Sequence, residues 1–448
     1  MAMIQRNALQ EMVDLAHGEI SREVYVNEGI YQQEQEQVFA RTWLFVGHES
    51  QVPKPGDFFQ SRMGEEAVLL VRDRKGELHV FLNTCRHRGM KVCRYDEGNT
   101  LLFTCPFHGW SYDTDGRLVG VPEYQAAYHA ELDKATWGLP EARIANFYGS
   151  IWANWDPQAP AFEDTLGGYA PFVRHIFDGD DGRPGGVEVL GGVHKWRMPS
   201  NWKFPAMSFN GDAAHGSITH RSINVAAIGP QGERGGGDRH GISFPRERGE
   251  LVLPELGHGG HFTIHELDEP YVETWQTLPE AEEYFRRAYE TRIQRLRENG
   301  EKRIEGGAGV FPNFSTGGAP RTVVVWNPAG VQYTECWRFY LVDSQAPTSV
   351  KDALRRWQMR YSGPVGMTES DDMENWNYAS AASKGTIARR YPYNFQMGIG
   401  HDRPHEWLPG RVSQVRAEGA QRARFSRWLE LMQASSWDEI YPKGAPRG

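Results

Sequence analysis

Polar and apolar positions along the chain fall into three regimes. In "EGIYQQEQEQVFARTW" (28–43) the apolar residues recur at helical spacing, which predicts one N-terminal helix. The next segment, "VPKPGDFF", breaks that pattern with two prolines and a glycine. From residue 65 the pattern turns to short runs bounded by turn residues: "EAVLLVRD", the turn "RKGE", "LHVFLN", "TLLFTC", "WSYD" and "RLVGV" around "TDG", and "GSIWANW". These predict a small all-β domain over residues 40–157, with 1–39 as a helical segment packing on the larger domain that follows.

That second domain, 158–448, mixes types. Strand-like "VEVLGGVHKWRM", "RSINVAAIG", "RTVVVWNP" and "ECWRFYLVD" stand apart from helical "AEEYFRRAYETRIQRLREN" and "VKDALRRWQMRY". Strands grouped separately from helices argue for an α+β domain and against a doubly wound sheet. Residues 229–260, with "GERGGGDRHG" and "LGHGGH", read as too glycine-rich for helix or sheet, hence a mobile loop that could serve as a lid over a pocket. The tail "SQVRAEGAQRARFSRWLELMQ" predicts an amphipathic surface helix.

Composition narrows the classes. A chain of 448 residues can bury a core without cross-links, so its four cysteines are not needed as staples. A net charge of −9, mixed along the chain, leaves no basic face for nucleic acid. No apolar run approaches the roughly 18 residues of a membrane span, and the first residues lack a signal-peptide core, so a soluble cytoplasmic protein with no membrane partner is expected. Fifteen tryptophans suit a large core or an apolar pocket without choosing between them.

Three of the four cysteines fall between residues 85 and 105, in "TCRHRGMKVC" and "CPFHGWSY". In a reducing compartment such clustering with histidine points to a metal or catalytic site. Cys85 and His87 are one residue apart, Cys105 and His108 two, and 17 residues separate the pairs. Two cysteines and two histidines in this order suit a Rieske [2Fe–2S] centre, in which thiolates hold one iron and neutral imidazoles the other. Gly89 and Gly109 permit the tight turns that bring backbone N–H groups near the sulfides. A structural Cys2His2 zinc site uses the same ligand types, although zinc sites seldom alternate them in this way. Cys93 and Cys336 read as small buried apolar residues.

A second grouping lies in "NWKFPAMSFNGDAAHGSITH" (201–220), with Asp212, His215 and His220, and in the acidic "TESDDMENW" (368–376). Two histidines and one carboxylate on one face of ferrous iron leave positions open for O2. Five residues of regular helix would set His215 and His220 about 140° apart, so the helix must distort or end between them, and Gly216 allows it. Taken alone, the acidic run would be a solvated helix face. His258, His261 and His265, flanked by glycines, read as solvent-facing.

Together the motifs resemble the large subunit of Rieske non-haem iron ring-hydroxylating oxygenases of the naphthalene- and biphenyl-type, from "WLFVGHESQVPKPGDFF" to "YNFQMGIGHD". The resemblance implies an all-β Rieske domain beside a helix-grip (START-like) catalytic domain. It implies Cys85, His87, Cys105 and His108 as cluster ligands and His215, His220 and Asp372 as ligands of a mononuclear Fe(II), with Asp371 the alternative carboxylate and Glu369 and Glu374 behind it. Asp212 would link that iron to the cluster histidine of a neighbouring subunit. Ser208, Phe209, Ala213 and Gly216 would border a substrate pocket, Ser208 and Gly216 being small where such enzymes usually carry larger groups. The implied activity is addition of both atoms of O2 to an aromatic ring as a cis-dihydrodiol. The electrons would come from a separate ferredoxin or flavin reductase, since no dinucleotide fingerprint is present. An α3 trimer or an α3β3 hexamer with a small β subunit is implied as well. Two other readings remain at this level: a Rieske monooxygenase using the same metals, and a non-enzymatic electron carrier or zinc-stabilised binding protein.

Overall fold

The computed structural model describes residues 4–222, 247–273, 279–307, 309–317 and 321–441. The chain divides into two compact units, Phe39–Phe162 and Met1–Val38 with Glu163–Gly448. The sequence boundaries at 39/40 and 157/158 thus shift by a few residues at the second junction.

The smaller unit is all-β. Its larger sheet runs, in order, Leu44–His48, Ser150–Asn154, Glu141–Phe147, Leu78–Leu82, Glu66–Arg72, Asp57–Met63 and Glu97–Asn99, with every neighbouring pair antiparallel. A second sheet joins Leu118–Gly120, Ser111–Asp113 and Leu102–Thr104. The turn "RKGE" closes because the Asp73 carboxylate accepts from the backbone N–H of Lys75 and Glu77, each at 2.8 Å. Apolar residues of both sheets, among them Phe58, Leu69, Phe81, Phe103, Trp110 and Tyr112, pack around Cys85 and Cys105. The Cys/His loops are therefore rooted in the unit's own core.

The larger unit is α+β. Strand Thr334–Asp343 pairs on one side with Thr322–Pro328 and on the other with Val187–Val189 and His194–Met198. Strand Thr322–Pro328, with the apolar run Val323–Trp326 at its centre, is buried at every residue, the signature of a strand covered on both faces. Helices Pro279–Asn299, Thr348–Tyr361, Met367–Ser383 and Gly419–Gln433 complete the unit. None of the described helices is long and apolar enough to cross a membrane.

Three expectations need correction or narrowing. Part of the glycine-rich stretch is regular sheet: Glu247–Val252 and Gly259–His265 form an antiparallel pair flanked by Arg411–Ser413 and Arg303–Gly306. The glycines there admit close backbone approach, since a Cβ on Gly249 would lie 2.7 Å from the Ser413 carbonyl oxygen and one on Gly260 would run into that of Gly307. Residues 223–246, with the lid reading and most of the strand expected at 221–229, lie outside the described residues. The tail helix is not a surface helix: Gly419–Gln433 is buried along nearly all its length. Its arginines are accommodated by internal acceptors, Arg424 donating to the Pro312 carbonyl and to Asn210 Oδ1. The N-terminal helix is shorter than its pattern. Asn27 caps Glu28–Glu34 by accepting from Gly29 N and Ile30 N, and a wider turn at Gln35–Phe39 ends it.

One buried carboxylate joins these helices. Glu34, fully enclosed, accepts from Lys203 Nζ at 2.6 Å, Trp202 Nε1 at 3.0 Å and Trp428 Nε1 at 2.8 Å. Burial pulls the Lys203 ammonium below its ordinary pKa and Glu34 offsets the effect. Removing one partner of such a pair strands the other charge, so Glu34→Ala is expected to destabilise this unit by about 3–5 kcal/mol. Equilibrium urea unfolding measures this, and an unchanged midpoint would refute it.

Candidate metal centres

The two Cys/His loops are built alike. Cys85 N donates to Met90 O at 2.8 Å and Gly89 N to Cys85 O at 2.9 Å. In the second loop Cys105 N donates to Trp110 O at 2.8 Å and Gly109 N to Cys105 O at 3.0 Å. In each loop the glycine four residues after the cysteine has a positive φ, 77° at Gly89 and 76° at Gly109, which an L side chain rarely adopts. Both cysteines are buried and unbridged, and both histidines are half-buried with ring centroids 4.6 Å apart. His87 stacks on Trp110 at 5.0 Å and 11°, with its Nδ1 buried and lacking a hydrogen-bond partner. Tyr112 Oη lies 3.5 Å from Cys85 Sγ and accepts from Arg86 N at 3.0 Å. Burial first, and then the neighbouring Cys85 thiol, push the Cys105 thiol up. Thiols inside and imidazoles outside suit a cluster with one iron of each kind. Cys93 is buried in the same core, its N–H bonded to Asn83 Oδ1, and Cys336 is fully buried.

In the larger unit, helix Lys203–Ser208 leads through a turn at Gly211 to Asp212 and His215. A short helix, Gly216–Thr219, then ends, and His220 leaves helical geometry at φ −92° and ψ 23°. This early ending swings the two imidazoles together, with centroids 5.2 Å apart. Asp372 reaches them from helix Met367–Ser383: its Oδ1 lies 3.5 Å from His215 Nε2 and 3.3 Å from His220 Nε2. One donor atom from each of the three residues falls within 4.8 Å of the others, a donor set that fits a single metal ion. Asp212 stands behind His215, its Oδ2 3.2 Å from Nδ1. Asp371 stands behind His220, outside the ligand set: it accepts from Ser222 Oγ at 2.7 Å and lies 3.7 Å from His220 Nδ1, on the ring's other nitrogen. Glu374 has no place in the grouping, and Glu369 is buried against Arg338.

Burial pushes the Asp372 carboxyl up to about 8, with His215 acting in the opposite direction. For His215, burial lowers the pKa, but Asp212 and Asp372 outweigh it and the net shift is upward. For His220, burial and then the His215 charge lower it.

A cavity of about 230 Å³ opens onto this grouping. Ser208, Phe209 and Ala213 line it as expected, whereas Gly216 does not: a Cβ there would meet nothing within 4 Å. Two of the three histidines expected to face solvent also depart from expectation, while His261 is exposed. His258 is buried, with its ring bonded to Thr165 O and Phe311 N, and His265 is buried between Glu269 and Glu305. Their strand and turn placement turns them inward. His261 and Glu369 line the cavity, as does Arg338, which the sequence reading did not single out. A signal for Arg338 was present, since "CWRFYLV" sets one charged residue in the middle of an otherwise apolar run.

Residues 42–137 match the Rieske [2Fe-2S] domain model. The biphenyl 2,3-dioxygenase alpha subunit of Rhodococcus jostii (strain RHA1) is 36% identical over 96% of this chain and 92% of its own. The chlorobenzene dioxygenase alpha subunit of Cupriavidus sp. (strain PS12) is 38% identical over 96% and 94%. The crystal structure of naphthalene 1,2-dioxygenase from Rhodococcus sp. bound to indole superposes with a TM-score of 0.80 at 31% identity, over 96% of this chain and 98% of that one.

A metal held by Asp372 must displace the proton that burial favours. Ferrous affinity of the apoprotein should therefore fall by about tenfold per pH unit below pH 8, more steeply still once the raised His215 imidazole is also protonated, and level off above pH 8. Anaerobic Fe(II) titrations between about pH 6 and 8.5 test the slope. A flat profile would contradict a buried carboxyl ligand.

Proposed function

Because the chain belongs to the large (alpha) subunits of Rieske non-haem iron ring-hydroxylating dioxygenases, we propose that His215, His220 and Asp372 hold its mononuclear iron and Cys85, His87, Cys105 and His108 its [2Fe–2S] cluster. The chain is the terminal oxygenase component, and its proposed reaction joins an arene, O2, two electrons and two protons into a cis-dihydrodiol. The observation that carries this reading is the convergence of two imidazoles and one carboxylate on a cavity, in a chain that also carries the paired Cys/His loops.

When bound, the cluster supplies electrons singly and the ferrous iron activates dioxygen. The protein's part is positional. Asp212 orients His215 through Nδ1, so that Nε2 faces the metal position. Phe209 and Ala213 give the arene apolar contact beside that position. The buried Asp372 offers one carboxylate oxygen toward both imidazoles, leaving the cavity side free for substrate and O2.

The named relatives are alpha subunits, which supports a small β subunit as partner, and a ferredoxin or flavin reductase is the proposed electron donor. We place Asp212 as the link to the partner subunit's His108 within a trimer, whether α3 or α3β3. Nucleic acid and membrane are not among the proposed partners.

Incubation with ¹⁸O2, an arene and a reconstituted reductase system tests the reaction. Two labelled oxygens in one dihydrodiol are expected, and a single labelled hydroxyl would establish monooxygenation instead. For the link, Asp212→Ala should retain cluster iron and sulfide while turnover drops by at least about 10–100-fold. Iron, sulfide and turnover measured on the same preparation decide it, full turnover being the refuting result.

A further inference from the structure

The cavity wall is polar well beyond the iron grouping. Ser208, Thr316, Thr322, Ser362 and Thr368 line it, while Phe209 and Ala213 are its purely hydrocarbon side chains among the described residues. In that wall stands a buried ion pair. Arg338 comes from the middle of strand Thr334–Asp343 and Glu369 from the first turn of helix Met367–Ser383, and each side chain is 2% exposed.

The pair is incompletely satisfied. Arg338 Nη1 donates to Thr322 Oγ1 at 2.9 Å and Nη2 donates to Glu369 Oε2. Arg338 Nε and Glu369 Oε1 have no hydrogen-bond partner. The guanidinium also lies 5.9 Å from the centroid of Phe209, which lines the same cavity. Both atoms have almost no accessible area of their own although their residues line the cavity, and a buried donor and a buried acceptor without partners are costly unless a ligand completes them. Glu369 lies one helical turn before Asp372, so its carboxylate shares a helix face with that of the metal grouping.

We propose that Arg338 and Glu369 recognise a neutral hydroxyl on the aromatic substrate, the hydroxyl accepting from Nε and donating to Oε1. This rests on the dioxygenase reading of the site and specifies its substrate class as a hydroxylated arene. An unsubstituted hydrocarbon leaves both groups unpaired. A carboxylate fits no better: Glu369 already neutralises the guanidinium, and Asp212 and Asp372 line the same cavity. A carboxylate also supplies acceptors only, so it leaves Oε1 unpaired and adds a like charge beside it.

Anaerobic calorimetry on the holoprotein, with cluster and iron loaded, compares biphenyl, the three monohydroxybiphenyl isomers and biphenyl-4-carboxylate. At least one hydroxybiphenyl should bind about tenfold or more tighter than biphenyl. The double variant Arg338→Met/Glu369→Leu, which replaces the pair by hydrocarbon of similar size, should lose that preference. Equal affinity of biphenyl and all three isomers overturns the proposal, as does tightest binding of the carboxylate or an unchanged preference in the variant. The wild-type comparison stands even if the variant fails to fold. Conversion of these arenes is scored separately: a dihydrodiol formed without any hydroxyl preference overturns only this inference, whereas no binding and no conversion of any of them overturns the dioxygenase reading with it.

Discussion

The catalytic unit is organised around one buried carboxylate. Glu34, at the end of the N-terminal helix, accepts from an ammonium and two indoles drawn from distant parts of the chain. It joins the N-terminal segment, the C-terminal helix Gly419–Gln433 and the start of helix Lys203–Ser208. That last helix runs on to Asp212 and His215, so the metal grouping hangs from an element whose first turn is pinned by charge. A fully enclosed carboxylate is tolerable only when its acceptor sites are well used, which makes the arrangement specific as well as stabilising.

The two candidate metal centres solve different problems of backbone geometry. The Cys/His loops repeat one tight turn, each closed by a cysteine N–H and a glycine N–H and each needing a glycine at positive φ. Their rigidity comes from the aromatic and aliphatic core packed beneath the thiols. The second centre depends on interruption. A helix of four residues ends before it can carry His215 and His220 to different faces, and a residue from another helix closes the grouping. Local turns suffice for the first centre, whereas the second exists only once the larger unit has packed.

The cavity around the second centre combines opposed demands. An arene needs apolar contact, and Phe209 and Ala213 are the hydrocarbon side chains the described wall offers, yet the wall also buries Arg338 against Glu369 and presents several hydroxyls. Polar groups in such a place act on specificity more than on affinity, because a ligand that leaves them unpaired is penalised.

Much of this was legible from residue order. Cys85, His87, Cys105 and His108 are close in sequence, so their spacing and glycines already define the loops. The strands of the small domain followed from short apolar runs with turn residues between them. Asp212, His215 and His220 were readable as a local motif, and Asp372 by resemblance. Other features depended on what lies across the fold. Glycine content suggested a loop where Gly249 and Gly260 instead let neighbouring strands approach. Charge suggested a surface helix where Arg424 finds internal acceptors. Burial of His258 and His265, the choice of Asp372 over Asp371 beside the imidazoles, and the meeting of Arg338 with Glu369 were decided by strand register and helix packing. Sequence by itself determined which residues could bind metal and where the chain must turn, because those are short-range covalent and conformational constraints. Only the tertiary structure decided which charges share a cavity, because pairing between residues far apart in the chain depends on how the packed core brings their elements together.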